Sequence, residues 1–181
     1  MNNITIEEFL ELTFQNLRKT YDTDNKFQLF FPIKRDQKPR YSEQEARVCA
    51  IKTCFDKNIK FSVETPTKGE YFFSGKESNK RSGSIDLQVI IKEKYYNIEF
   101  KFGTNKVDNE LEKFNENPDN VMFFLFKNTD KGTIKTLLKN ITNYTCKEDK
   151  SKNISPNNLL LAVYILETNE RAIVKVNSKE H

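Results

Sequence analysis

Residues 84–102 read SIDLQVIIKEKYYNIEFKF, and two alternating patterns meet within them. Side chains on a strand point to opposite faces in turn. Ile85, Leu87, Val89 and Ile91 therefore share one face, and Ser84, Asp86, Gln88 and Ile90 share the other. In the second half, Tyr96, Ile98, Phe100 and Phe102 oppose Tyr95, Asn97, Glu99 and Lys101. The expected structure is a hairpin of strands 84–91 and 95–102. With Glu93-Lys94 as a two-residue turn, Lys92 pairs with Tyr95, Asp86 falls opposite Lys101, and Gln88 falls opposite Glu99. A register slipped by one residue would set the apolar side of one strand against the polar side of the other, which burial opposes. Asp86, Glu99 and Lys101 thus share a face.

Gly103 closes the hairpin on its C-terminal side, and Val107, Leu111 and Phe114 predict a helix at about 105–116, stopped by Asn117 and Pro118. The run Val121 to Phe126 is short, apolar and aromatic, as a strand at the centre of a sheet should be. Ile134, Leu137, Leu138 and Ile141 predict another helix, Lys147 to Pro156 a charged loop, and Leu159 to Leu166 with Ala172 to Val176 a last hairpin. Upstream, Ser74 to Gly83 reads as a polar loop, with short strands at Lys60 to Thr65 and Glu70 to Phe73 around a turn at Pro66 to Gly69. Ser42 and Glu45 form an S-x-x-E capping box before a helix at about 43–57, whose apolar side combines Ala46, Cys49, Ala50 and Cys54 with Val48, Ile51 and Phe55. Thr5 and Glu8 form a similar box before a helix at about 6–20, and Phe27, Leu29 and Phe31 alternate ahead of Pro32 as a short strand or extended arm. Helices on both sides of a strand meander argue for a mixed α/β sandwich.

A chain of 181 residues is expected to form one domain, and 15 Phe with 7 Tyr supply its core although only 36% of residues are hydrophobic. No apolar run is long enough to span a bilayer, and Glu7, Glu8 and Glu11 do not suit a signal peptide, so a cytoplasmic location is expected. Cys49, Cys54 and Cys146 match neither a zinc spacing nor a disulfide framework, and buried free thiols are expected. The formal charge of +4 is too small to argue for a polyanionic partner by itself. The single histidine, His181, argues against a histidine base, a Ser-His-Asp triad or histidine metal ligands. Carboxylates, lysines and tyrosines must carry any acid, base or metal chemistry.

Two carboxylates and an ammonium on one face suit Mg²⁺, a hard cation that takes carboxylate oxygens and keeps several waters. A metal-bound water is a better nucleophile, and the cation neutralises charge on a phosphoryl oxygen. A competing reading is a solvated hairpin face with cross-strand charge pairs, each contributing about 0.2–1 kcal/mol.

The sequence resembles the PD-(D/E)XK superfamily, the restriction-endonuclease-like nucleases. The resemblance lies in Ser84-Ile85-Asp86, twelve intervening residues, then Glu99-Phe100-Lys101, with an upstream helix bearing Glu45 and a helix-strand unit following. It covers residues 42–126 of a single nuclease-like domain, with Ile85 where the family name has proline. It implies a restriction-endonuclease-like α/β core, a central mixed sheet in the order αβββαβ with additions at both ends. It also implies a Mg²⁺-dependent endodeoxyribonuclease for restriction, defence or repair, with Mn²⁺ as an alternative metal. Asp86, Glu99 and the Phe100 carbonyl would bind the metal, and Lys101 would serve the hydrolytic water. Glu45 either joins that site or, as the third residue of its capping box, bonds the Ser42 amide; both readings stand open. Lys34, Arg35, Lys38 and Arg40, with Lys76, Lys80, Arg81 and Lys106, are candidate phosphate contacts. DNA is the expected partner, and a homodimer is compatible with cutting two strands. The alternative is a noncatalytic nucleic-acid-binding or assembly module on the same fold.

Overall fold

The computed structural model describes residues 4–22, 28–72, 80–103, 111, 113–114, 119–142 and 158–176. Among these residues the chain forms an α/β structure in the order α1 (Ile6–Tyr21), α2 (Glu43–Asp56), β1 (Lys60–Phe72), β2 (Lys80–Ile91), β3 (Lys94–Phe102), β4 (Asn120–Phe126), α3 (Lys131–Thr142), β5 (Leu159–Ile165) and β6 (Arg171–Val176). The six strands make one sheet in sequence order. β1, β2 and β3 run as an antiparallel meander, β4 and β5 follow parallel to β3, and β6 returns antiparallel. The expected helix at 105–116 lies mostly outside the described residues, but Leu111 and Lys113 are helical. No helix among the described residues is long and apolar enough to cross a membrane.

β4 and β5 show why the sheet sits at the centre: every residue of both is buried. Val121, Phe123 and Leu125 point into a core shared with α1 and α2, while Met122, Phe124 and Phe126 point into a second core with Leu111, Phe114, Leu137 and Ile141. The first core is built on rings: Phe14 stacks on Tyr164 at 5.3 Å, and Phe123 lies 5.4 Å from Phe14 and 5.2 Å from Phe100.

The Thr5 box forms as expected, with the Glu8 amide donating to Thr5 and the Thr5 amide donating to Glu8. The two N-terminal helices are also tied by a buried polar contact. Asn16 Nδ2 donates to Thr53 Oγ1 at 3.0 Å, and the Thr53 hydroxyl donates to the Cys49 carbonyl. Thr53→Val should leave the Asn16 amide without its partner and cost about 1–3 kcal/mol, measured by urea denaturation.

Several expectations need correction. The hairpin turn is Lys92-Glu93, both at positive φ (50° and 66°), with Ile91 paired to Lys94 and Gln88 to Asn97. This is two residues away from the expected register, so Asp86 does not face Lys101 and Gln88 does not face Glu99; the shift is even, so Leu87, Val89 and Ile91 keep their common face, but Ile85 leaves it and packs into the second core with Met122 and Phe124. The pairing of the strands sets the turn, which holds Lys92 and Glu93 at positive φ although neither is glycine or asparagine. β1 is one strand with a register shift between Pro66 and Glu70, not two strands around a turn. Lys80 and Arg81 belong to β2, paired with Phe72 and Tyr71, not to a loop. Of the two readings for Phe27 to Phe31 the strand does not form over residues 28–31, and Phe27 lies outside the described residues. On α2, Val48 and Phe55 are exposed, because the smaller Ala46, Cys49, Ala50 and Cys54 take the face against the sheet. Cys49 and Cys54 are buried free thiols, pushed up to about 12 by burial; Cys146 lies outside the described residues.

Candidate functional site

The β2–β3 ladder runs as far as Leu87 and Ile98 and stops where Asp86 begins. β2 continues its pairing with β1 through Ile85 and Ser84. At the break, Asp86 Oδ2 accepts the Phe100 amide at 2.8 Å, so a side chain takes the place of a backbone acceptor. The opening sets Asp86 beside Glu99, because the neighbouring pairs bring residues 86 and 99 level.

Glu99 is only 1% exposed. Lys113, itself buried, donates from Nζ to Glu99 Oε1 at 3.1 Å and to the Ser84 carbonyl at 2.9 Å. Burial pushes the Glu99 carboxyl up to about 8, and the facing Asp86 carboxylate pushes the same way, against the pull of Lys113 and Lys101. Lys101 is half-buried and close enough to be felt by Glu99. The sequence face therefore does bring Asp86, Glu99 and Lys101 together.

A raised pKa in the folded state gives a definite sign. The folded protein holds a proton on Glu99 that the unfolded chain, with its ordinary value of 4.5, releases. Stability from this group is full below about 4.5 and is lost as pH rises through about 8. The metal-free protein should melt several degrees lower at alkaline pH than at mildly acidic pH, as read by circular dichroism. Glu99→Gln should flatten that dependence.

Glu64 extends the cluster across β1. It sits at positive φ (50°) between the Val63–Leu87 and Thr65–Ile85 pairs, accepts the Ser84 hydroxyl at 2.6 Å, and pairs with Arg47 of α2 at 2.5 Å. The Ser84 hydrogen bond is the main reason its carboxyl lies below the usual range. Reading the sequence missed Lys113, Glu64 and Arg47. Lys113 sits beside Leu111 and Phe114 in an expected helix, where a lysine at the edge of an apolar face is ordinary. Glu64 meets Ser84, next to the site, at a positive-φ position that strand alternation does not foresee.

Glu45 is buried and accepts the Ser42 hydroxyl at 2.7 Å, while Ser42 caps the helix through the Gln44 amide. The contact is side chain to side chain, so the expected bond to the Ser42 amide is replaced. Among the described residues no group of three or more His, Cys, Asp or Glu is placed to hold a metal, so Glu45 does not complete a triad with Asp86 and Glu99. The donor pair alone still fits Mg²⁺, which commonly binds through one or two carboxylates and retains its waters. A cation there would also offset the repulsion between the two carboxylates.

Lys34, Arg35, Lys38 and Arg40 are exposed in a tight turn ahead of α2. Lys76 and Lys106 lie outside the described residues, as do the side chains of Lys80 and Arg81. A separate open groove, lined by Leu29, Val48, Ile51, Lys52 and Phe55, contains none of the site residues. Comparison of the chain with protein-family models, curated proteins and solved structures gives no match.

Proposed function

We propose that the protein is a Mg²⁺-dependent nuclease that hydrolyses DNA phosphodiester bonds, built on a restriction-endonuclease-like core. The observation that carries this reading is the opened β2–β3 ladder, where Asp86 and Glu99 face each other beside Lys101. Support also comes from the element order α2, β1, β2, β3, then helical Leu111 and Lys113, then β4 parallel to β3, the αβββαβ arrangement expected of that core.

Asp86 and Glu99 would hold the metal, with the Phe100 carbonyl as a third protein oxygen. The metal supplies a water of lowered pKa and charge neutralisation at the phosphoryl oxygen. Lys101, beside Glu99, would hold the attacking water in line and offset the negative charge that develops on the phosphoryl group. The Asp86–Phe100 hydrogen bond fixes one carboxylate oxygen, and Lys113 fixes one oxygen of Glu99, so each acid presents its other oxygen.

Incubating the protein with plasmid, linear and branched DNA, with and without Mg²⁺, tests the reading. Metal-dependent cleavage is expected, and its absence with both Mg²⁺ and Mn²⁺ would defeat it. The depth of Glu99 and its pairing with Lys113 favour a second reading, a noncatalytic module that binds nucleic acid. Salt-dependent DNA binding without cleavage is the outcome that reading requires.

A further inference from the structure

Between α1 and α2 the chain makes a compact projection. The Lys34 amide donates to the Lys38 carbonyl at 2.8 Å, the Gln37 amide to Lys34 at 3.0 Å, and the Arg40 amide to Pro32 at 2.6 Å. Ile33 and Pro39 form a bridge across it. Its root is an aromatic anchor: Phe31 is buried and meets Tyr41 edge-on at 4.9 Å, and the Lys127 ammonium lies 5.9 Å from the Tyr41 ring. Lys127 directly follows β4, and the Gly103 amide donates to Leu125, so the projection is rooted at the end of the sheet where the central strands β3 and β4 stop. Glu99 and Lys101 lie near that same end of β3.

What the projection shows to solvent is unusual in combination. Phe30 is 66% exposed and Ile33 57%. The same short turn carries four exposed cations, Lys34, Arg35, Lys38 and Arg40, against one carboxylate, Asp36, 3.8 Å from Lys38. An exposed ring is a stacking surface, and closely placed cations seek a polyanion. A duplex satisfies only the second demand, because both faces of its bases are already stacked. An unpaired strand offers phosphates and free base faces together.

We propose that this projection binds an unpaired nucleic-acid strand, with Phe30 stacking on a base and Lys34, Arg35, Lys38 and Arg40 engaging the phosphates. The proposal rests on the nuclease reading for its substrate and deepens it: the DNA is one with a single-stranded stretch, such as an overhang or a flap.

The test is fluorescence anisotropy on the full chain in EDTA, with labelled oligothymidylate and a blunt duplex of matched length. The single strand should bind more tightly. Phe30→Ala should weaken single-strand binding about tenfold and duplex binding less than about twofold, and Phe30→Tyr should restore it. Lys34→Gln with Arg35→Gln should weaken both and flatten the salt dependence. Phe30→Ala that changes nothing, or weakens both ligands equally, overturns the proposal. So does tighter binding to phosphatidylserine vesicles than to the single strand. The two readings fail separately: strand binding without cleavage defeats only the nuclease, and cleavage with a silent Phe30→Ala defeats only this site.

Discussion

Asp86→Asn should lower Mg²⁺-dependent cleavage by about 10²–10³-fold while the metal-free protein melts at the same temperature or higher. The two signs come from the same geometry. Asn keeps an oxygen where Asp86 Oδ2 accepts the Phe100 amide, so the hydrogen bond that replaces the ladder at that point is retained. It loses the charge that repels Glu99 and helps raise that group to about 8, so the cluster is relieved in the absence of a cation. The same loss of charge removes one of two carboxylates available to a metal, and a neutral amide oxygen is a poor replacement for Mg²⁺. Lys101→Ala should reduce cleavage comparably without abolishing metal binding. The pair of measurements, cleavage rate and thermal melt, separates a catalytic role from a structural one: a structural acid would lower both. Unchanged cleavage in both variants would defeat the assignment.

Phe123→Ala should destabilise the protein by about 3–5 kcal/mol, a fall in melting temperature of the order of 10 °C. Phe123 is fully buried on the central strand β4 and touches Phe14 of α1 and Phe100 of β3. Removing it opens a cavity walled by the α1 helix and two strands, which cannot all close in together. Phe100 also lies between Glu99 and Lys101, so loosening its ring should reduce cleavage beyond what the lower stability explains. Phe55→Ala is the matched control. That ring is 72% exposed and meets Phe61 edge-on at 5.4 Å, so its loss should cost about 1 kcal/mol by denaturant titration. Equal effects from the two substitutions would contradict the layered core described above.

The strands and helices that could be read from the chain are those whose burial repeats regularly. Alternation in 84–91 and 95–102 and the unbroken apolar run at Val121 to Phe126 gave strands that the structure contains, and the Thr5–Glu8 box gave the start of α1. Where local pattern competed with packing, packing won. Val48 and Phe55 looked like part of a buried face on α2, but the close approach of that helix to the sheet selects Ala46, Cys49 and Ala50 instead. The turn at Lys92-Glu93 was misplaced because no glycine or asparagine marks it; the strand pairing holds two ordinary side chains at positive φ.

By itself the sequence determined the mixed α/β class and the nearness of Asp86, Glu99 and Lys101, because alternation along Leu87–Ile91 and Tyr96–Phe102 survives an even error in register. Only the tertiary structure decided the depth of Glu99, its pairing with Lys113, and the link from Arg47 through Glu64 to Ser84 beside them. Those contacts join residues far apart in the chain through a ladder that opens at Asp86 and a strand that bends at Glu64. They depend on distances between elements, which no local pattern of residues encodes.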